Sequence, residues 1–320
     1  MCKINNIEIY LEVPKQKNRI DEFDIIEFNY YGYITKIEYI STFTFKVKID
    51  SNFNDKLIFE YFSIILKLLF FNYGYFMEIK KYIVNNEIVN YKNYCNLDFY
   101  ESNIEYVSSY KIASISNVIK PSAINKIKKE EQNYFLGFRA LYYLKSNNYS
   151  GVLYDHKFTI LCHILEGFII NSSLEKQILL EIQKKHPNRN VLYFIDRISY
   201  YTKELLSISK KTNSSIYTIL RENSKVLPEK IKNTRNQYSH YIKKHKIIKI
   251  KNSIYYFYIM ELIYRIILLD KCGIKYDINL KNNLQNIHDW ILTNTGNLIN
   301  ENDYKTTNYK VRYRINNYHN

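Results

Sequence analysis

Apolar and polar residues alternate along much of the first 120 residues, which is the period of strands with one buried face. Four segments carry this pattern, and polar or glycine-containing breaks separate several of them: IEIYLEV (7–13), DIIEFNYYG (24–32), YITKIEYI (33–40) and FTFKVKI (43–49). Apolar residues then recur at helical spacing over 57–72, and YFMEIKKYIV (75–84) returns to the strand pattern. We therefore predict a β-rich α+β module here, and its sequence contains no visible catalytic motif.

From about residue 132 the apolar spacing changes to the 3.6-residue period of helices. Successive helices are predicted over 152–171, 174–186, 191–211 and 214–224, from Pro228 onward, over 253–273 and near 280–293. The segment 253–273 is apolar nearly all round and ends at Gly273, which predicts a central buried helix with a glycine cap. The predicted organisation is an N-terminal α+β domain (1–125), an all-α domain (132–295) and a basic tail (296–320).

The net charge of +15 permits a polyanionic partner, although the composition weakens that inference. The chain is rich in Lys, Ile, Asn, Tyr and Phe, which AT-rich codons encode, so part of the lysine excess reflects base composition. The four cysteines are scattered without a CxxC pair, and no carboxylate cluster or phosphate-binding glycine loop is visible. We therefore expect no disulfide, no metal and no cofactor.

Nothing in the sequence suggests a membrane segment. The longest apolar run, Phe62–Phe71, is interrupted by Lys67 and is too short to span a bilayer. The amino terminus lacks the apolar core of a signal peptide. Together with the scattered cysteines, these features predict a soluble, cytoplasmic protein without a membrane partner.

The motif that carries chemistry is RNQYSH (235–240). RNA can be cut without a metal when its own 2′-hydroxyl attacks the adjacent phosphate. That reaction needs a group with a pKa near neutral to move protons, and a fixed cation for the charge that builds on the phosphorane. His240 and Arg235 are residues of these two types. The arginine is informative because the chain has only nine arginines against 37 lysines, and a guanidinium grips phosphate in a planar manner that an ammonium cannot copy.

On a helix, Asn236 and His240 lie four residues apart on one side, and Arg235 and Ser239 lie beside them. The motif is also compatible with purely structural roles. The residues could form a solvated polar face, or His240 could be satisfied by a nearby carbonyl. Arg235 could equally be a structural ion-pair partner of Glu166.

Lysines follow the motif directly, at Lys243, Lys244 and Lys246. They are candidates for contacts with RNA phosphates near the cleavage point. A solvated lysine loop explains them about as well, because lysine is abundant throughout the chain.

Three features of the helical part resemble the Apea-like branch of HEPN domains, which occur in bacterial anti-phage and abortive-infection systems. They are FTILCHILEGF (158–168) with its Leu165-Glu166 pair, RNQYSH (235–240), and the apolar helix 254–269 that ends in LLDKCGI. The second feature fits the Arg-x4–6-His pattern of HEPN domains. The resemblance implies an α+β chain in which the N-terminal β-rich module precedes an all-α HEPN helical bundle.

The same resemblance implies a homodimer in which two copies of the motif form one composite site. By that analogy Arg235 would clamp the scissile phosphate and His240 would shuttle protons. Asn236 would orient the backbone or phosphate, while Glu166 would hold Arg235 and Ser239 would support the site. The products would be 2′,3′-cyclic phosphate and 5′-hydroxyl ends, formed without a metal.

The expected function is therefore an endoribonuclease that cleaves tRNA or mRNA in anti-phage defence, with a phage-derived trigger as a possible partner. The first alternative is a catalytically inactive HEPN module that dimerises or binds RNA, with a ligand-sensing N-terminal domain. The second is a small-ligand sensor in which residues 1–120 are the functional part and the helices transmit the signal.

Overall fold

The computed structural model describes residues 4–12, 20, 23–51, 57–74, 77–90, 111–129, 141, 144, 154–212, 216–240, 247–248, 250–276 and 284–285. An antiparallel sheet is followed by a helical region, which confirms the predicted α+β fold class. Most of the helix predicted near 280–293 and all of the tail predicted over 296–320 lie outside these residues. The three domain boundaries stay predictions.

Six strands form one sheet in the order β2-β3-β4-β1-β5-β6, and every neighbouring pair is antiparallel. The strands are β1 (Asn6–Glu12), β2 (Ile26–Tyr30), β3 (Tyr33–Ser41), β4 (Thr44–Ser51), β5 (Glu78–Val84) and β6 (Glu87–Ile88). Alternate residues such as Ile7, Ile9 and Val47 are fully buried, so the alternation along the sequence marks the inward face. Positive φ angles at Tyr31-Gly32 and Asn85-Asn86 close two tight hairpins, as type I′ turns require.

Helix α1 (Leu57–Tyr73) covers the inner face of this sheet. The Tyr61 ring stacks against Tyr30 and Tyr33, with ring centroids 5.4 and 5.0 Å away. Its hydroxyl lies 2.8 Å from Oγ1 of the buried Thr35 on β3. The helix also packs against the helical region, so most of its side chains are buried. Burial from both sides explains why its sequence is apolar nearly all round.

The helical region contains α2 (Ile115–Val118), α3 (Pro121–Lys129), α4 (Tyr154–Ile170), α5 (Leu174–Gln183), α6 (Phe194–Lys211), α7 (Ile216–Asn223), α8 (Leu227–His240) and α9 (Ile250–Lys271). Periodicity predicted the last six of these helices, with ends that differ by a few residues. It missed α2 and α3, which are too short to show several turns of a pattern. Helix α3 begins at Pro121, a residue suited to a first turn, and Tyr30 on β2 donates to Asn125 at 2.9 Å.

Helix α9 is the centre of the helical region, as predicted. Every side chain from Tyr256 to Leu269 is buried. The helix ends in a Schellman motif at Gly273, whose φ is +76°, because its N–H donates to the carbonyl of Asp270 and the next N–H reaches Leu269. The predicted glycine cap is thus confirmed. No helix in the described part of the chain is long and apolar enough to cross a membrane.

A buried ion pair joins α9 to α1. Arg265 lies 2.8 Å from the carboxylate of Glu261, one turn earlier, and both side chains are almost completely buried. Nη1 of Arg265 also donates to the carbonyls of Phe71 and Asn72, at 3.2 and 3.1 Å. These carbonyls end α1, where the helix dipole favours a cation. The N-terminal sheet unit and the helical region therefore meet through specific polar contacts as well as through apolar packing.

Candidate active site

Three helices bring the candidate site together. Helix α8 packs against both α4 and α6, and it buries Ile231 and Thr234 on its inner side. The Thr234 hydroxyl accepts a hydrogen bond from the backbone N–H of Ile248 at 2.7 Å, which ties the chain beyond the motif back to α8. The next residue, Arg235, lies where the three helices meet and contacts side chains of α4 and α6.

Each nitrogen of the Arg235 guanidinium has a partner. Nε donates to Nε2 of His163 at 3.2 Å, and Nη1 donates to the Asn236 side-chain oxygen at 3.0 Å. Nη2 lies 3.4 Å from a carboxylate oxygen of Glu166. The Phe194 ring lies 4.8 Å from the centre of the guanidinium and supports it by cation–π contact. The plane of the guanidinium is therefore fixed by side chains of α4, α6 and α8.

The Arg235 side chain is nevertheless 22% exposed. A guanidinium has five N–H donors, and the three contacts to side-chain acceptors use three of them. Two N–H groups therefore have no acceptor within the described part of the chain. A planar cation held from behind and open in front has the geometry that binds a phosphate through two donors.

A second arginine holds Glu166 in place. Nη1 of Arg197 donates to the other Glu166 oxygen at 3.1 Å. The same arginine binds Glu175 in a bidentate manner, with contacts of 3.1 and 2.7 Å. Charges thus alternate from Glu175 on α5 through Arg197 and Glu166 to Arg235. Because all four side chains are only partly exposed, this network orients Arg235 more firmly than an isolated surface pair would.

His163 is the second acceptor on α4, one turn before Glu166. Because Nε2 of His163 accepts from Arg235, the imidazole must be neutral, with its proton on Nδ1. Burial lowers the pKa of His163 below its ordinary value, and the nearby Arg235 lowers it further. Glu166 acts in the opposite direction, and His240 adds to the lowering of this pKa. Arg235 and His240 therefore act electrostatically on the same imidazole.

His240 is the last residue of α8, and its side chain is exposed. It lies five positions after Arg235, which corresponds to about 7.5 Å along the helix axis. No hydrogen bond joins the two side chains in the structure as far as it is described, so a bound group would have to bridge them. The Ser239 hydroxyl is enclosed and lacks a hydrogen-bond partner among the described residues.

Four of the predicted site residues are thus placed around one junction: Arg235, Asn236, Glu166 and His240. Ser239 adjoins them without contacting the guanidinium. The predicted RNA-binding lysines lie outside the described residues: Lys243, Lys244 and Lys246. Their role stays a prediction. The roles of the other predicted residues likewise stay proposals.

Sequence reasoning missed His163, Arg197 and Phe194. A signal for His163 was available, since it stands three residues before Glu166 and shares a helix face with it. Arg197 is one of only nine arginines, but nothing local indicates its partner. Phe194 could not be distinguished from a core aromatic without the fold.

The thiol nearest to the junction is a poor nucleophile. The Cys162 thiol is adjacent but buried, and burial raises its pKa above the ordinary value, which disfavours the nucleophilic thiolate. No group of three His, Cys, Asp or Glu side chains among the described residues is placed to hold a metal ion.

The fold and the site define an α+β protein whose helical half presents an Arg-x4-His motif at a junction of three helices. Comparison with protein families agrees with this class, because residues 159–278 match the family described as Apea-like HEPN. This part of the chain is therefore similar to an Apea-like HEPN domain, and the matched range includes both Glu166 and the motif. No curated protein and no solved structure matches the chain. The family match supports a nuclease-type, RNA-related role in defence.

Proposed function

We propose that this chain is a metal-independent endoribonuclease that acts on tRNA or mRNA in anti-phage defence or abortive infection. The observation that carries the proposal is the arrangement of Arg235. Its guanidinium is held from behind by three acceptors and an aromatic ring, and it remains partly exposed beside His240.

In the proposed reaction, a base takes the proton of a ribose 2′-hydroxyl, and the 2′-oxygen attacks the adjacent phosphorus. The bond from phosphorus to the 5′-oxygen breaks, and that oxygen leaves with a proton donated by an acid. The products are a 2′,3′-cyclic phosphate and a 5′-hydroxyl. His240 moves protons, because an imidazole can act as a general base or a general acid. The two open N–H groups of Arg235 bind the phosphate oxygens, where negative charge accumulates in the transition state.

One imidazole cannot be base and acid at the same moment, so the proposal includes a homodimer. A second copy of the motif would supply the second imidazole, and the two would share the proton transfers. Asn236 keeps Arg235 oriented by accepting from Nη1, and Glu166 does so from α4. A phage-derived molecule is the proposed trigger, and the N-terminal α+β unit is its proposed receptor.

The test is incubation of purified protein with total RNA in EDTA, beside the variants Arg235→Lys and His240→Ala. We expect wild-type cleavage with 2′,3′-cyclic ends, as determined by mass spectrometry of the fragments, and at least a hundredfold loss in both variants. A matched control is Arg221→Lys, an exposed arginine on α7 whose ring contact with Tyr217 lies outside the site. RNA that stays intact under all conditions, extract of phage-infected cells included, contradicts the proposal. Cleavage that EDTA abolishes contradicts the mechanism.

A catalytically inactive HEPN module is the second candidate. The observation that favours it is that Arg235 already has an ion-pair partner in Glu166, as a purely structural arginine would. In that case His240→Ala would leave both RNA binding and cellular toxicity unchanged. Loss of toxicity in this variant, with unchanged thermal stability, selects the enzyme instead.

A further inference from the structure

The loop between α5 and α6, residues 184–193, forms a concave surface that lines an open cavity of about 710 Å³. Its lining combines cations, amides, apolar groups and an aromatic ring: Lys185, His186, Pro187, Asn188, Arg189, Asn190, Val191 and Tyr193. None of these residues is acidic. Val191 and Tyr193 are 58% and 60% exposed, so apolar surface lies open next to positive charge.

The loop is held rigidly in this form. The Gln183 side chain donates to the carbonyl of Arg189 at 2.9 Å, and the Arg189 N–H donates to the carbonyl of His186 at 3.0 Å. The Asp196 carboxylate accepts from the N–H of Tyr193 at 2.8 Å and also pairs with the Arg189 guanidinium. The surface is therefore preorganised, and binding a ligand would not require ordering the loop first.

Arg189 and Tyr193 form the aromatic part of this surface. The Arg189 guanidinium lies 4.6 Å from the centre of the Tyr193 ring. Exposed aromatic rings beside guanidinium groups are the platforms on which unpaired bases stack. The amides of Asn188 and Asn190 can donate to and accept from base edges. Lysine abundance does not explain this composition, since Arg189 is one of only nine arginines.

The loop adjoins the candidate active site along the chain. Tyr193 directly precedes Phe194, whose ring supports the Arg235 guanidinium at 4.8 Å. Consecutive Cα atoms lie about 3.8 Å apart, so the backbone of Tyr193 adjoins that of the residue whose ring supports Arg235.

Lys185 and Arg189 also line the neighbouring cavity between α5 and α6, which mixes three carboxylates with further lysines: Glu181, Asp196, Glu204, Lys184 and Lys203. The surface formed by the loop has no acidic residue in its lining, so it attracts a polyanion more than that cavity does.

We propose that the α5–α6 loop is the docking surface for an unpaired RNA segment beside the scissile phosphodiester, with Tyr193 stacking on a base and Lys185 contacting phosphate. This inference rests on the proposed ribonuclease function, because RNA is taken as the ligand. Binding and cleavage are nevertheless separate measurements, so each can fail alone.

The test is fluorescence anisotropy with a short, labelled single-stranded RNA that carries 2′-O-methyl groups throughout. This probe cannot be cleaved, because the attacking hydroxyl is blocked. Tyr193→Ala should weaken binding about five- to hundredfold, the usual value of one base–aromatic stack. Lys185→Glu should weaken binding and lower the slope of log affinity against log salt by about 0.7 for each phosphate that the variant no longer binds.

Two exposed residues provide matched controls. Tyr31→Ala removes a tyrosine from the β2–β3 turn, and Lys210→Glu reverses a lysine about 24 Å further along α6. Both controls should bind the probe like the wild type. Thermal denaturation and sedimentation of all four variants check that neither folding nor oligomeric state has changed.

Unchanged binding by Tyr193→Ala and Lys185→Glu overturns the inference, even if the wild type cleaves RNA. Weaker binding that follows a change in sedimentation also overturns it, because the loop would then be a subunit interface. Equal competition by poly-glutamate overturns it as well, since the loop would then be a general polyanion site. Selective loss of RNA binding supports the inference, even if cleavage is never observed and the ribonuclease proposal fails.

Discussion

Glu166 connects the arginine of the motif to the rest of the fold, so replacing it by glutamine is a direct test of how the site is positioned. The substitution Glu166→Gln keeps the size of the side chain and removes its charge. Two contacts change, at 3.1 Å to Arg197 and 3.4 Å to Arg235. A hydrogen bond to a charged group contributes about 1.5–3 kcal/mol to stability. Since the longer contact is weak and all three side chains are partly exposed, we expect a loss of about 2 kcal/mol.

The natural control is Glu175→Gln. Glu175 binds the same arginine, Arg197, through contacts of 3.1 and 2.7 Å, but it does not contact Arg235. Its replacement should cost about 1–2 kcal/mol. Each kcal/mol lowers the Tm of a cooperative unit of about 150–250 residues by roughly 2–4 °C. The two variants should therefore have similar Tm values, several degrees below the wild type.

Activity should separate the two variants. A displacement of about 1 Å in a catalytic group can cost about a hundredfold in rate. We therefore expect Glu166→Gln to cleave RNA about ten- to hundredfold more slowly and Glu175→Gln to stay within about threefold of the wild type. Initial rates with the same RNA, measured well below both Tm values, provide the comparison. Equal losses in the two variants would refute the reasoning, because stability and not the position of Arg235 would then control the rate.

Three further predictions concern single residues. Arg235→Lys should abolish cleavage in the RNA assay, because an ammonium group cannot replace the planar grip of the guanidinium on phosphate. Calorimetry should show that the same variant changes the Tm by no more than a few degrees. Burial and Arg235 lower the pKa of His163, so just below pH ~6.5 the unfolded chain binds more protons than the folded one. The free energy of unfolding should therefore fall when the pH is lowered through that window. Urea unfolding at several pH values should show a smaller fall in His163→Gln than in the wild type. Gly74→Ala should lower the free energy of unfolding by more than about 2 kcal/mol, because φ is +74° and the new Cβ would lie 2.7 Å from the Arg265 guanidinium carbon. Gly167→Ala on α4 is the matched control, because its new Cβ meets nothing within 4 Å. This second variant should raise the free energy of unfolding by about 0.5–1 kcal/mol. Similar Tm changes in the two glycine variants would contradict this account.

The central helix shows why some elements could be predicted from the sequence. Residues 253–273 are apolar on every side, and only complete burial makes such a helix stable in water. The cap at Gly273 follows from the same local pattern, since glycine tolerates the left-handed conformation that ends a helix. Helices α2 and α3 were not predicted, because a few residues show no period and their stability comes from packing on α1.

The candidate site likewise combines residues that could be predicted from the sequence with contacts that could not. The four residues of the motif lie close together in the chain and on one helix: Arg235, Asn236, Ser239 and His240. Their relative positions could therefore be predicted from their spacing in the sequence. Glu166 came from the resemblance and from its possible ion pair with Arg235, and the structure contains that ion pair at 3.4 Å. Its second partner was not predicted.

The sequence by itself determined the α+β order, the buried central helix and the short motif with its two chemical groups, because each depends on residues a few positions apart. Only the tertiary structure decided that His163, Arg197 and Phe194 surround Arg235 and that the loop before Phe194 leads into the same junction. These residues lie up to 72 positions from Arg235, and contacts over that separation follow from how the helices pack. Packing depends on the shape and burial of whole helix faces, which no local pattern records.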